Sequence, residues 1–259
     1  MLKNEILWTL FPFIISVGSL LFLLLIFTFV YSRRPSNPDV VKRMHKSFLG
    51  VFLRDFWYWI IDPIVSFFIF LRISPNMITI LSLIIAFFAA LYYYYGAFAL
   101  AGWFVVISGS LDMIDGRLAR RSNSETREGA FLDSCIDRYS DGIIFIGIAL
   151  YFRNDIFMLL TSILVLLGSQ LVSYVKARGE TLDVITKRGI MQRPERIVFL
   201  SFISVFHPFF MIISRINGIK TDIPMIIGMS LMAILTNYTA LVRFIEIFRK
   251  IRFQGHHDG

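Results

Sequence analysis

Asp112, Asp115, Asp133 and Asp137 are the residues in this chain whose type and spacing best suit chemistry. The first two lie three apart and the second two lie four apart, so each pair shares one face of a helix. The hydrophilic stretch from Arg121 to Glu128 joins the two segments and makes the helices antiparallel neighbours, which lets the pairs face one another. All four carboxylates fall in or beside apolar sequence. On membrane-insertion scales an ionised Asp at that depth costs about 2.5–3.5 kcal/mol, before mutual repulsion is added. A compensating positive charge is therefore required. Oxygen-only ligands suit hard divalent cations, Mg2+ or Mn2+, and two such ions would serve phosphoryl chemistry. No His accompanies the carboxylates and the lone Cys135 reads as packing, which argues against zinc. The bland alternative has the aspartates capping helices, pairing with Arg117, Arg120 and Arg138, or lining a watery cavity. For one aspartate that account would suffice; for four at this spacing, with Gly116 and Gly129 allowing close backbone approach, metal chemistry is the better reading.

The elements that position these residues are membrane helices. The chain is 56% hydrophobic and only 17% charged over 259 residues, with a mean hydropathy of +0.69. Apolar runs long enough to cross a bilayer recur along it. The expected fold is an all-α integral membrane protein: a six-helix transmembrane bundle, an interfacial amphipathic helix, and one extra N-terminal transmembrane helix. Residues 1–46 form the N-terminal anchor and a basic linker, 47–73 the interfacial helix, and 74–259 the six-span catalytic domain. The six core spans are expected near 76–95, 99–120, 131–152, 156–176, 196–216 and 224–245. Positive charge follows the first apolar run, at Arg33, Arg34, Lys42, Arg43 and Lys46, so residues 6–31 read as a retained anchor and not a cleaved leader. In the 47–71 segment, Trp57, Tyr58 and Trp59 beside Arg54, Asp55 and Asp62 fit a helix lying at the interface.

The net charge of +8 gathers on alternate loops. Only Lys3, Arg153, Arg215 and Lys220 fall on the opposite side, and the asymmetry places the aspartates at the cytoplasmic end. No nucleic-acid-reading module accompanies the basic residues, so no nucleic-acid partner is expected. The lone Cys135 excludes an internal disulfide and reads as packing. Tyr92–Tyr95 reads as an outer aromatic belt, His207 as structural, and His256 and His257 as part of a polar tail.

Asp112-x-x-Asp115-Gly116-x-x-Ala119-Arg120, eight further residues, then Gly129-x-x-x-Asp133-x-x-x-Asp137, resembles the signature of the CDP-alcohol phosphotransferases at every fixed position. The resemblance covers the six-span bundle from about residue 74 and the interfacial helix before it; the first anchor lies outside. It implies that Asp112, Asp115 and Asp133 hold the metal ions, with Asp137 completing the second site and acting as general base. Gly116 and Gly129 would let the cytidine nucleotide approach the backbone, and Arg120 would meet phosphate. Asn76 and Thr79 match a Pro-Asn-x-x-Thr turn near the nucleotide.

A second constellation, Lys176 and Arg178 followed by Arg193-Pro194-Glu195-Arg196, sits at helix ends on the same side. Its four cations are expected either to converge on an anion or to anchor loops to lipid head groups. The pair of segments is similar to the acceptor region of the phosphatidylinositol-phosphate synthase branch. That similarity implies transfer of a phosphatidyl-type group from a CDP-linked lipid, CDP-diacylglycerol, to a hydroxyl of a phosphorylated polyol, inositol phosphate first, with release of CMP. Glycerol phosphate, inositol, choline and ethanolamine are the alternative acceptors. The resemblance also suggests a homodimer in a cytoplasmic or equivalent inner membrane. Two other classes compete. Prenyltransferases use a different aspartate spacing, and a carboxylate-lined cation transporter would show an inverted repeat that this sequence lacks.

Overall fold

The computed structural model describes residues 2–31, 50–186, 189–216, 218 and 222–254. The basic linker at 33–46, Lys187, Arg188, Lys220, His256 and His257 lie outside them. Among the described residues the chain is helical throughout. The helices are α1 (Leu2–Tyr31), α2 (Gly50–Phe70), α3 (Pro75–Tyr94), α4 (Phe98–Arg121), α5 (Arg127–Tyr151), α6 (Ile156–Glu180), α7 (Arg193–Val205), α8 (His207–Ile216) and α9 (Ile223–Gln254).

The helix boundaries follow from local chemistry. Pro75 opens α3, where its missing N–H costs nothing. Gly96, at φ +74°, turns the chain from α3 into α4. Thr126 caps α5 by accepting the Gly129 N–H at 3.0 Å, and Asp155 caps α6 by accepting the Met158 N–H at 3.1 Å.

Five helices are long and apolar enough to cross a membrane, and α7 with α8 forms a sixth candidate span bent by 46°. The sequence suggests one straight span over residues 196–216. Pro208 explains the break, because it cannot donate to the Ser204 carbonyl one turn back. Helix α5 matches its neighbours in length, at 25 residues, but falls short of the apolar criterion. It is the helix that carries Asp133, Asp137, Arg138 and Asp141. The chain is thus a multi-pass membrane protein.

In the core, α3 packs against α4 and α5, α4 against α7, and α6 against α9. Small residues permit the close approaches, since lipid tails offer helices little hydrophobic incentive to associate. Gly147 of α5 lies against Ala90 of α3, and a Cβ there would sit 2.4 Å from the Ala90 carbonyl oxygen. Gly102 faces Ser204 and Val205, and Gly168 faces Thr236 and Asn237. Hydrogen bonds fix the register: Ser108 Oγ donates to the Ser82 carbonyl at 2.9 Å, and Asn237 Nδ2 donates to the Leu164 carbonyl at 2.9 Å.

The tyrosine run divides between core and surface. Tyr94 and Tyr95 are exposed, as an aromatic belt requires, but Tyr93 is fully buried and its hydroxyl lies 2.6 Å from Ser204 Oγ. His207 is buried with its ring 4.5 Å from that of Phe98. Outside the bundle, α1 touches α2 through Phe27, whose ring is 5.4–5.6 Å from those of Phe52, Phe56 and Trp59. It also meets Phe206, at the α7–α8 bend, through Phe13.

The tightest crossing provides a direct check. Gly147→Ala is expected to destabilise the protein by about 1–3 kcal/mol through overpacking. Gly18→Ala, where a Cβ meets nothing within 4 Å, should leave stability unchanged or slightly raised. Thermal melts of the two variants in detergent measure the difference.

Candidate active site

Asp112 and Asp115 occupy the last turns of α4, and Asp133 and Asp137 the first turns of α5. The short turn between the helices brings the pairs together. Ser122 Oγ donates to the Leu118 carbonyl at 2.7 Å, and the Ser124 N–H donates to the Ala119 carbonyl at 2.9 Å. Asn123 takes a left-handed conformation at φ 50°, which Asn tolerates better than most residues.

Asp112, Asp133 and Asp137 each offer a carboxylate oxygen, and the three oxygens lie within 4.8 Å of one another. Asp115 stands one turn along α4 and is turned differently. Its Oδ2 accepts the Thr79 hydroxyl at 2.6 Å, while its Oδ1 accepts the Gly116 N–H. The charges of Asp112 and Asp133 still act on it. The structure thus gathers three of the four carboxylates around one point and holds the fourth beside them through α3.

Arg193, the first residue of α7, enters this cluster. Its Nη1 lies 2.6 Å from Asp112 Oδ2 and 2.8 Å from Asp137 Oδ1, and its Nε lies 3.8 Å from Asp141 Oδ1. Asp137 Oδ1 is buried with that ion pair but no aligned hydrogen bond, and Asp133 Oδ1 is buried with no donor at all. Buried carboxylate oxygens without donors are costly unless a cation completes them. An all-oxygen donor set of three converging carboxylates, one of them with a buried oxygen that meets no donor, fits a hard divalent cation.

The remaining expected residues separate into groups. Asn76 and Gly129 meet at the start of α5, where a Cβ on Gly129 would lie 3.2 Å from Asn76 Oδ1 and 3.1 Å from Thr126 Oγ1. A Cβ on Gly116 would lie 3.4 Å from Arg120 Nη1. The four cations of the second constellation do not share one surface. Lys176 and Arg178 are exposed, and Lys176 lies 3.8 Å from Glu180. Arg196 is only 2% exposed, with Nη2 2.7 Å from Asp141 Oδ2 and Nη1 donating to the Met191 carbonyl. Arg193 faces the aspartates. The physical reason is the pull of the carboxylates on α5, which outweighs assembly of four cations without an anion.

Asp141 is the site residue that the sequence reading missed. It continues the series Asp133, Asp137 by one more helical turn and holds both arginines of the Arg-Pro-Glu-Arg run. The four-residue spacing was the available signal. Asp62 of α2 is another: it binds Arg117 Nε at 2.5 Å, with the Arg117 guanidinium 4.5 Å from the Tyr58 ring centre. This contact fastens α2 to the metal-candidate helix two residues beyond Asp115. Arg117 therefore pairs with α2, while Arg138 donates to the Ser134 carbonyl of its own helix.

Residues 72–235 match the family model described as CDP-alcohol phosphatidyltransferase. An archaetidylinositol phosphate synthase of Methanothermobacter thermautotrophicus is 36% identical over 178 residues, covering 67% of this chain and 86% of the relative. A phosphatidylinositol phosphate synthase of Streptomyces avermitilis is 34% identical over 171 residues, covering 64% and 68%. Among solved structures, the Mycobacterium tuberculosis phosphatidylinositol phosphate synthase with CDP-DAG bound superposes with a TM-score of 0.63 at 27% identity. That match covers 72% of this chain and 92% of the other. The same enzyme in complex with manganese and citrate gives 0.63 at 26% identity, covering 72% and 88%. The chain belongs to the CDP-alcohol phosphatidyltransferase family, a group of divalent-metal-dependent membrane transferases.

The geometry generates a binding prediction. Asp133→Asn should weaken Mn2+ binding by at least about 100-fold. Thr79→Val, which only frees Asp115, should weaken it by about 10–100-fold. Calorimetric titration of the metal-stripped protein measures both; equal affinities in the two variants and the wild type would be the contrary result.

Proposed function

We propose that this protein transfers the phosphatidyl group of CDP-diacylglycerol to a hydroxyl of inositol phosphate, releasing CMP. The observation that carries the proposal is the convergence of Asp112, Asp133 and Asp137 on one point, with Asp115 held beside them by Thr79. The solved relative with bound CDP-DAG and the relatives named for inositol phosphate products support the choice of donor and acceptor.

In this reading Asp112, Asp115, Asp133 and Asp137 hold two divalent ions, Mg2+ or Mn2+. Bound ions would supply positive charge to the donor's pyrophosphate oxygens and to the departing CMP. Asp137 takes the proton of the attacking hydroxyl. The acceptor oxygen then bonds to the lipid-side phosphorus, and the bond from that phosphorus to the CMP oxygen breaks. Asp137 Oδ1 is buried and accepts no aligned hydrogen bond, so once Arg193 turns to the acceptor's phosphate it is open to that proton. Thr79 orients Asp115 by donating to it. Gly116 and Gly129 leave room for the nucleotide beside Arg120 and Asn76. The guanidinium of Arg193 meets the acceptor's phosphate, for which its planar fork is suited, while Lys176 and Arg178 give the approach a positive field. Arg196 serves by keeping Asp141, and through it Arg193, in place. The charge asymmetry of the loops supports an active site on the cytoplasmic face of a cytoplasmic or equivalent inner membrane.

An acceptor panel tests the function directly. Purified protein with Mg2+ or Mn2+ and CDP-diacylglycerol should release CMP with inositol phosphate, and much less with inositol, glycerol phosphate, choline or ethanolamine, with products read by mass. Activity with free inositol and none with its phosphate would overturn the acceptor. Asp137→Asn should lower CMP release by about 100-fold or more while sparing CDP-lipid binding; undiminished release would remove the base.

A further inference from the structure

Arg193 and a metal ion need the same oxygens. The guanidinium Nη1 bridges Asp112 Oδ2 and Asp137 Oδ1 at 2.6 and 2.8 Å, and these two residues form the metal-candidate trio with Asp133. A cation at the centre of the trio would bring a second positive charge within a few ångströms of the first and would take lone pairs the guanidinium now uses. Repulsion between the two cations favours movement of the guanidinium away from the trio. Arg193 is placed to move. It is the first residue of α7, the described residues just before it (189–192) belong to no helix, and its side chain retains 18% exposure. A second anchor lies along the same side chain, because Asp141 Oδ1 is 3.8 Å from Nε. Asp141 is itself fixed by the buried Arg196 at 2.7 Å.

We propose that Arg193 is a resident counterion of the aspartate cluster, displaced toward Asp141 by the incoming metal, so that metal loading frees its guanidinium for an anion. The inference rests on the metal-site reading above and adds an order to it: metal first, acceptor phosphate second. Before loading, Arg193 offsets the repulsion among Asp112, Asp133 and Asp137, and the cluster can exist without collapse. After loading, its outer N–H groups are no longer committed to carboxylates. Binding linkage makes the effect reciprocal, so an anion that holds Arg193 away from the cluster must also tighten the metal. Asp141 is the positioning residue that keeps the displaced side chain near the site.

The test is Mn2+ titration of the metal-stripped full-length protein in lipid nanodiscs, read by electron paramagnetic resonance, with and without sulfate as the anion probe. The wild type should bind Mn2+ more tightly when sulfate is present. Arg193→Gln should bind Mn2+ about tenfold more tightly than the wild type and should ignore sulfate; Arg193→Lys, which keeps the charge on a shorter side chain, should fall between. Unchanged or weaker Mn2+ binding in Arg193→Gln, or a wild type indifferent to sulfate, would overturn the counterion role and leave the metal site standing. Absence of Mn2+ binding in every form would overturn the metal site as well. Should Arg193→Gln not fold, phenylglyoxal labelling of the wild type gives the same answer by mass spectrometry. Modification of Arg193 should rise severalfold on adding Mn2+, and a constant or lower rate would contradict displacement.

Discussion

Four carboxylates at the end of a membrane bundle repel one another, and most of the site's architecture follows from how that repulsion is balanced. Arg193 lies between two of them. Thr79 donates to a third. Asp133 keeps a buried oxygen without any donor. Two arginines, Arg193 and Arg196, converge from α7 on Asp141 at the back of the cluster. Five carboxylates thus face two guanidiniums in a medium of low dielectric, and the balance is completed only by further positive charge. Such balance is a poor route to stability and a good one to tight, selective capture of a small cation.

The helices supply the rigidity this balance needs. Donors and acceptors aimed to a few tenths of an ångström require backbones that do not slide. Here α3 and α5 are locked by the Gly147–Ala90 contact, α3 and α4 by Ser108 and the Ser82 carbonyl, and α6 and α9 by Asn237. Helix α2 contributes from outside the bundle, because Asp62 and Tyr58 together hold Arg117 two residues from Asp115. The metal-candidate helices are thus braced on both sides by contacts that do not themselves touch the cluster.

Much of this was legible in the residues. The helical class and the bundle follow from apolar run lengths, and the meeting of the two aspartate pairs from their spacing of three and four, although α4 and α5 do not pack as direct neighbours along their length: α3 packs against both. The identity of the aspartates follows from their company of glycines and arginines. What the pattern could not convey was direction. Asp115 and Asp112 share a helix face by spacing, yet Thr79 draws one away because it lies across the α3–α4 contact. Arg193 and Arg196 read as cations that either converge on an anion or anchor loops to head groups, yet both turn inward to carboxylates, since Asp141 waits one turn beyond the motif. The break at Pro208 was also readable in principle, as a missing donor inside an apolar run, but an apolar run alone looks continuous. Tyr93 shows the same limit: within a run of tyrosines, only packing against Ser204 separates the core member from its exposed neighbours.

The central claim is that the aspartate cluster is balanced by dications. The most direct measurement is anomalous X-ray diffraction at the manganese edge from crystals soaked in Mn2+. The account predicts two anomalous peaks among Asp112, Asp115, Asp133 and Asp137, with the Arg193 guanidinium withdrawn from Asp112. Full-occupancy density for Arg193 between Asp112 and Asp137, with no anomalous peak beside it, would contradict the account.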